Sequence, residues 1–454
     1  MKYSRKTFFD NEIQRALGPH PSTRPLVEVS GEFGLSSVFD VSDLALSSIL
    51  AATRELAALT GAMQISADRR LIELWFGTTL RPIGWSLPPS WDPIAGNYLA
   101  RDGWIRLHTN VPAHLAATLS VLEVPAMRDN VERAVANWSR FDLEDAVIDA
   151  GGVAAAMRSL TEWALHPQGQ FVANEPLIAW SENAGHSTTL PVLKEKLDGL
   201  RVLDLTRVLA GPVATRFLAG FGASVLRIDP LDWQEHGLEP EVTLGKSCCG
   251  LDLQRTADRA RFEELLSTAH VLVHGYRPGA LDRLGYDAPT RRKLNPSLID
   301  VSLSAYGWSG PWKDRRGFDS VVQMNSGLAH EGMIRSGSDR PIALPVQALD
   351  HATGYLMAAS VLRALREQLN GGRCLSARLS LARTAALLVS GGINDPVPHA
   401  RSSYTADETF EETYWGPARR AVFPVKLNGR SPEWRNAAVP FRSAAAEWPE
   451  IPSQ

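Results

Sequence analysis

From Leu197 onward the chain switches repeatedly between two hydrophobic periods. Arg201-Val202-Leu203-Asp204-Leu205 is a short run dominated by apolar β-formers and reads as a buried strand. Residues 213–220 follow Pro212 with apolar and small side chains and read as a helix, since proline in a first helical turn costs no hydrogen bond. Val225-Leu226-Arg227-Ile228 returns as a strand and is stopped by Asp229-Pro230. Residues 259–268 place Phe262, Leu265 and Leu266 at helical spacing, Val271-Leu272-Val273 is a further strand, and 298–303 another after Asn295-Pro296. This alternation predicts an α/β fold, a doubly wound and mainly parallel sheet. Ligands of such sheets bind beyond the carboxyl ends of the strands, here 206–211, 229–230, 274–279 and 304–307.

The first half is patterned differently. Residues 41–59 are helix-like, 65–76 mix β-formers with charges, and 85–98 read as a connecting stretch carrying Pro88, Pro89 and Pro93. Trp104-Ile105-Arg106-Leu107-His108 alternates as a strand, and helical patterns cover 131–141 and 144–158, which predicts a second, smaller α+β domain. The expected division is a partial large-domain-like segment over 1–90, the small domain over 91–185, and a large α/β domain with a C-terminal tail over 190–454. A weak internal repeat runs through this order. Ser42-Asp43-Leu44-Ala45 opens one small-residue helix as Leu349-Asp350-His351-Ala352 opens another, and β-rich stretches follow near 65–70 and 379–383.

Composition narrows the function. The 454 residues are 44% hydrophobic and 21% charged with a formal net charge of -3, which gives no basic field for nucleic acid and no polybasic membrane patch. Cys248, Cys249 and Cys374 form neither a disulfide framework nor a zinc motif, so no metal is expected. Met1-Lys2-Tyr3-Ser4-Arg5-Lys6 leads into no apolar signal core, and no apolar run approaches the ~20 residues that span a bilayer. A cytoplasmic location without membrane contact is expected. No GxGxxG or Walker A sequence marks a dinucleotide or triphosphate site.

A series of short segments then carries a family resemblance. In order these are Leu197-Asp198-Gly199-Leu200-Arg201-Val202-Leu203-Asp204-Leu205 leading to Ala210-Gly211-Pro212, Gly222-Ala223-Ser224-Val225-Leu226-Arg227-Ile228-Asp229-Pro230, and Gly245-Lys246 before Leu251-Asp252-Leu253. Tyr276-Arg277-Pro278-Gly279-Ala280-Leu281-Asp282-Arg283-Leu284-Gly285, Tyr306-Gly307 with Gly310-Pro311, Gly317-Phe318-Asp319, Gln323 with Ser326-Gly327, and Ala348-Leu349-Asp350 with Gly354 complete it. Their order and spacing resemble the class III CoA-transferases, a group that includes formyl-CoA and carnitine CoA-transferases and the α-methylacyl-CoA racemases. Asp102-Gly103-Trp104-Ile105, Ala156-Met157-Arg158 with Glu162-Trp163, and His166-Pro167-Gln168-Gly169 resemble the family's small domain, which usually follows the nucleophile-bearing domain. The order here is rearranged, as in a truncated tandem fusion.

The resemblance implies transfer of CoA between an acyl-CoA and a small carboxylic acid through an aspartyl-CoA intermediate. Such chemistry needs a side-chain carboxylate, because only a carboxylate becomes an anhydride that keeps the thioester's reactivity. By motif the nucleophile is Asp350. From the residues alone, Asp350 stands at the start of a helical run over 351–365 and reads as its cap. For coenzyme A, present as substrate, the resemblance points to Val208, Lys246, Gly275, Tyr276, Arg277 and Arg283, with the cations on phosphates and Tyr276 on the adenine. It also implies an interlocked homodimer. A CoA-dependent dehydratase or racemase is an alternative, although Phe318 stands where racemases carry an acid–base histidine; His351 is expected near the same centre. The other alternative is a non-catalytic paralogue that binds CoA or a partner.

Overall fold

The structure, a computed structural model, describes residues 5–19, 24–31, 34–183, 190, 193, 195–235, 237–394 and 408–449. The N-terminal Met1-Lys2-Tyr3-Ser4 and part of the stretch between the expected small and large domains lie outside these residues.

A seven-stranded sheet organises the second half. Its order is Ser247–Gly250, Ser224–Asp229, Arg201–Leu205, Val271–His274, Ile299–Ser304, Cys374–Ser380 and Ala179–Asn183. The first six strands run parallel, and Ala179–Asn183 closes one edge antiparallel. Chain order reverses between Arg201–Leu205 and Val271–His274, which creates the crevice where doubly wound sheets bind ligands. Both faces are covered, so the strands are apolar on both sides. Val202, Val225, Val271, Val273 and Val301 face one core, and Leu203, Leu205, Leu226 and Leu272 face the other.

The helices over the first face come from both halves of the chain. Ala348–Gly371 packs along Ala210–Gly220 and along Val41–Thr60. Gly354 and Gly211 explain two glycines of the recognised segments. A Cβ on Gly354 would stand 2.3 Å from the Ala210 carbonyl oxygen, and one on Gly211 2.2 Å from Thr206 Cγ2. At Gly354 the two helices meet at backbone distance and a methyl group forces them apart, whereas at Gly211 it would collide with the Thr206 side chain in the loop before the helix.

The internal repeat takes a definite form. Val41–Thr60, strand Gln64–Asp68 and helix Arg69–Trp75 follow the same sequence as Ala348–Gly371, Cys374–Ser380 and Leu381–Ser390. The two long helices are tied by a buried ion pair, Arg366 Nη2 to Glu55 Oε2 at 3.0 Å. The first segment's other partners come from the far end of the chain. Leu26–Ser30 and Gln64–Asp68 form a sheet with Val425–Leu427, and Leu80–Pro82 pairs with the hairpin Glu408–Thr413 and Gly416–Ala421.

The small α+β unit is contiguous. Gly96–Ala100, Gly103–Leu107 and Ala154–Ala156 form an antiparallel sheet under helices Pro112–Leu122, Arg128–Val135 and Arg140–Asp149. Three expectations need correction here. The helical pattern over 144–158 stops at Asp149, because Gly151 and Gly152 break it and the chain returns as a strand. The connecting stretch over 85–98 ends earlier, since Gly96 already pairs with Leu107. The mixed segment 65–76 divides at Asp68, whose carboxylate accepts the Arg70 N–H and caps the helix Arg69–Trp75.

No described helix is long and apolar enough to cross a membrane.

Candidate active site

The loops after Arg201–Leu205, Val271–His274 and Ile299–Ser304 enclose a cleft of about 360 Å³ at the reversal point of the sheet. Val208, Gly275, Tyr276, Arg277 and Asp350 line it, together with Arg207, Trp233, Arg315, Arg316, Gly317, Phe318 and His114.

Asp350 lies in the first turn of Ala348–Gly371 and is buried. The capping role that its position suggested belongs to another residue. Asp319 Oδ2 accepts the Asp350 N–H at 2.9 Å, so a carboxylate from a separate segment satisfies the helix's orphan donor. Gln323 donates to the other Asp319 oxygen. Burial raises the Asp319 carboxyl to about 6. The Asp350 carboxyl itself makes no hydrogen bond to a described residue and faces the cleft. Burial, then the charge of Asp319, then that of Glu235 hold its pKa well above the ordinary carboxylate value.

The remaining expected site residues divide into two groups. Val208, Gly275, Tyr276 and Arg277 all reach the cleft. Val208 adopts φ 62°, unusual for a β-branched residue, and its N–H is held by Glu235 Oε1 at 2.7 Å. Space above Gly275 is open, with nothing within 4 Å of where a Cβ would stand. Tyr276 carries the Arg207 guanidinium over its ring, 5.1 Å from the centroid, and Arg207 also lies 4.6 Å over Trp233. Arg283 is exposed at the end of Ala280–Arg283, close enough to Arg277 to lower its pKa together with burial and Arg316.

Lys246 is the exception. The resemblance placed it on a phosphate, but its ammonium is fully buried and bonds Asp204 Oδ2 at 2.9 Å and the Pro212 carbonyl at 3.1 Å. Burial lowers it to about 8, against the pull of Asp204. Asp204 is held low despite its burial, because Lys246 and Arg227 both attract it and Thr206 and Thr215 donate to it. His351 also stays away from the cleft: it is buried and stacks on Phe76 at 5.0 Å. The arrangement in 317–319 therefore presents Phe318, not a proton carrier, beside the carboxylates.

Several lining residues had no signal of their own in the sequence. Trp233 and Arg207 meet only through the fold, and Glu235 stands behind them on the Val208 N–H. His114 comes from the small unit, which the segment His166-Pro167-Gln168-Gly169 ties to the large one. Gln168 Nε2 donates to the carbonyls of Tyr306 and Ser309, and its Oε1 accepts the Trp312 N–H. Behind this, Glu144 binds Arg158, Arg315 and Asn325 in a buried network. Among the described residues no group of three or more His, Cys, Asp or Glu could hold a metal ion.

The cleft therefore lies at the sheet's reversal point and combines a carboxyl without a hydrogen bond to a described residue with several lining arginines. Residues 197–403 match the family model of CoA-transferase family III. The chain is similar to "Probable fatty acyl-CoA transferase Rv3272" of Mycobacterium tuberculosis, 33% identical over 39% of this chain and 48% of that protein. It is also similar to "Acetyl-CoA:oxalate CoA-transferase" of Acetobacter aceti, 36% identical over 31% of this chain and 39% of that one. The crystal structure of Rv3272 superposes with a TM-score of 0.39 at 29% identity, covering 42% of this chain and 56% of the other. The matched stretch spans from a third to about half the length of the curated relatives.

Proposed function

We propose that the protein is a CoA-transferase that moves CoA between an acyl-CoA and a carboxylic acid, with Asp350 as nucleophile. One observation carries this reading: Asp319 caps the helix, which leaves the Asp350 carboxyl unbonded and facing the cleft. An Asp350 oxygen attacks the thioester carbonyl, the C–S bond breaks, and CoA leaves as thiolate from a mixed anhydride. The thiolate then attacks the aspartyl carbonyl, releasing the donor acid and leaving an aspartyl-CoA thioester. The acceptor carboxylate opens that thioester, and the returning thiolate takes the new acyl group and regenerates Asp350. Arg277 and Arg316 in the cleft, with Arg283 near Arg277, supply cations for the CoA phosphates. Hydroxylamine added during incubation with acyl-CoA is expected to convert Asp350, and no other residue, to a hydroxamate detectable by peptide mass. Absence of label at Asp350 under turnover would exclude the intermediate.

We keep the homodimer as part of this proposal. Strands Leu26–Ser30 and Ala179–Asn183 are edges of their sheets, and Leu26 is 61% exposed on the first. Sedimentation at low micromolar concentration is expected to show a species near twice 49.6 kDa. A stable species of one chain's mass would mean that the two repeats complete each other within a single molecule.

A further inference from the structure

The cleft holds a side chain that the transfer chemistry does not use. His114 stands in the first turn of Pro112–Leu122 in the small unit, yet it lines the same cleft as Asp350. It is 7% exposed, with its ring edge-on to Phe318 at 6.0 Å. Its Nδ1 is sealed from solvent with no hydrogen-bond partner among the described residues. A buried polar nitrogen without a partner is costly, and the ring that carries this one lines the cleft.

The surroundings say what kind of ligand. The charged groups that act on His114 are Arg316 and Arg277, from the loops beyond two central strands. His108, at the end of the small unit's strand Gly103–Leu107, is near enough for His114 to affect its titration. The helix Pro112–Leu122 carries no other charge. Arg316 spends Nη1 on the Gly151 carbonyl and Arg277 spends Nη1 on that of Asp314. A guanidinium has five N–H donors, so both retain donors. Burial first, then Arg316 and Arg277, push the imidazole down to about 4, which leaves it neutral near neutral pH.

We propose that His114, Arg277 and Arg316 form an oxyanion-binding subsite in which the imidazole hydrogen-bonds an anionic oxygen and takes up a solvent proton as the anion docks. An anion among these groups cancels the field that opposes imidazolium and adds an attraction of its own. The proton goes from buffer to a ring nitrogen, and no bond of the ligand breaks. A phosphate of CoA and the carboxylate of the acid share the required chemistry. Placing either ligand here rests on the CoA-transferase reading.

Calorimetry of the full chain at pH 5.5, in two buffers of different ionisation enthalpy, counts the protons taken up. The probes are coenzyme A, pantetheine (which lacks its phosphates) and oxalate. Wild type is expected to take up more protons per bound ligand than His114→Gln, which can hydrogen-bond but does not titrate. Wild-type affinity should rise by up to about tenfold per pH unit of acidification above the free-state value, and the variant should lose that part of the slope. A His114-dependent uptake with coenzyme A but not pantetheine or oxalate assigns the subsite to phosphate, and one with oxalate assigns it to the acid. Equal uptake by both proteins with every probe, or no binding of any probe, overturns the subsite. If coenzyme A fails to bind while oxalate binds with His114-dependent uptake, the subsite stands and the CoA-transferase reading falls.

Discussion

Asp350→Asn is expected to lower turnover by more than about a thousandfold while leaving CoA affinity within a few-fold and making the folded protein more stable at neutral pH. The first effect follows from chemistry, since an amide cannot form the anhydride, and loss of a nucleophile costs at least this much in comparable covalent enzymes. The second follows from the cleft, whose rim arginines do not touch the carboxyl. The third follows from the sign of the pKa shift. Asp350 is held well above 3.8 in the folded protein by burial, Asp319 and Glu235. The folded state therefore keeps its proton to higher pH than the unfolded chain does, and this contribution is fully present below 3.8. It is lost as pH rises through the folded-state value. Asparagine never ionises, so the variant escapes that loss. Its advantage in melting temperature should grow from pH 4 to pH 8 and vanish below pH 4. Near-normal turnover in the variant would refute the nucleophile, and a stability difference independent of pH would refute the electrostatic account of the site. The helix itself should survive the change, because Asp319 supplies its cap.

Much of the large unit was legible because its signals are local. Each parallel strand is a short apolar run between breakers, and a strand buried on both faces can hardly be written otherwise. The glycines at 211 and 354 were visible as motif positions, and their causes, the Thr206 side chain against one and a helix at backbone distance from the other, appear only in three dimensions. The same limit governs the site. Asp350 could be picked out by its neighbours, but whether it caps or reacts depends on Asp319, 31 residues away. His114 is a lone histidine on a helix until the ties around Gln168 and Glu144 bring the small unit against the cleft. The misread helix over 144–158 has a similar origin. Ala154–Ala156 has no β-branched residue, and it is a strand because it pairs with Ile105–Leu107.

Lys246→Met separates the two roles that this lysine could have. If the ammonium served a CoA phosphate, its loss would weaken CoA binding and leave folding nearly untouched. The geometry requires that folding suffer first, because the ammonium is spent inside the core. Asp204 sits on a central strand with no solvent access, and Lys246 is its only direct cationic partner among the described residues, Arg227 acting at longer range. Removing the lysine strands a buried carboxylate, which costs about 3–5 kcal/mol. Methionine fills the space of the stem, so little of that cost comes from a cavity. Pairing the change with Asp204→Asn should recover most of the loss. The amide oxygen can still accept from Thr206, which now bonds Asp204 through its N–H and its hydroxyl, and no charge remains to bury. A double-mutant cycle by urea denaturation measures this recovery as a coupling energy of comparable size. Lys246 also holds the Pro212 carbonyl in the first turn of Ala210–Gly220, whose Ala210 and Gly211 line the cleft. Residual folded Lys246→Met should therefore show a raised KM for acyl-CoA that the double variant does not correct, since neither methionine nor asparagine replaces that bond. A stable Lys246→Met protein with selectively weakened CoA binding would return the lysine to the phosphate.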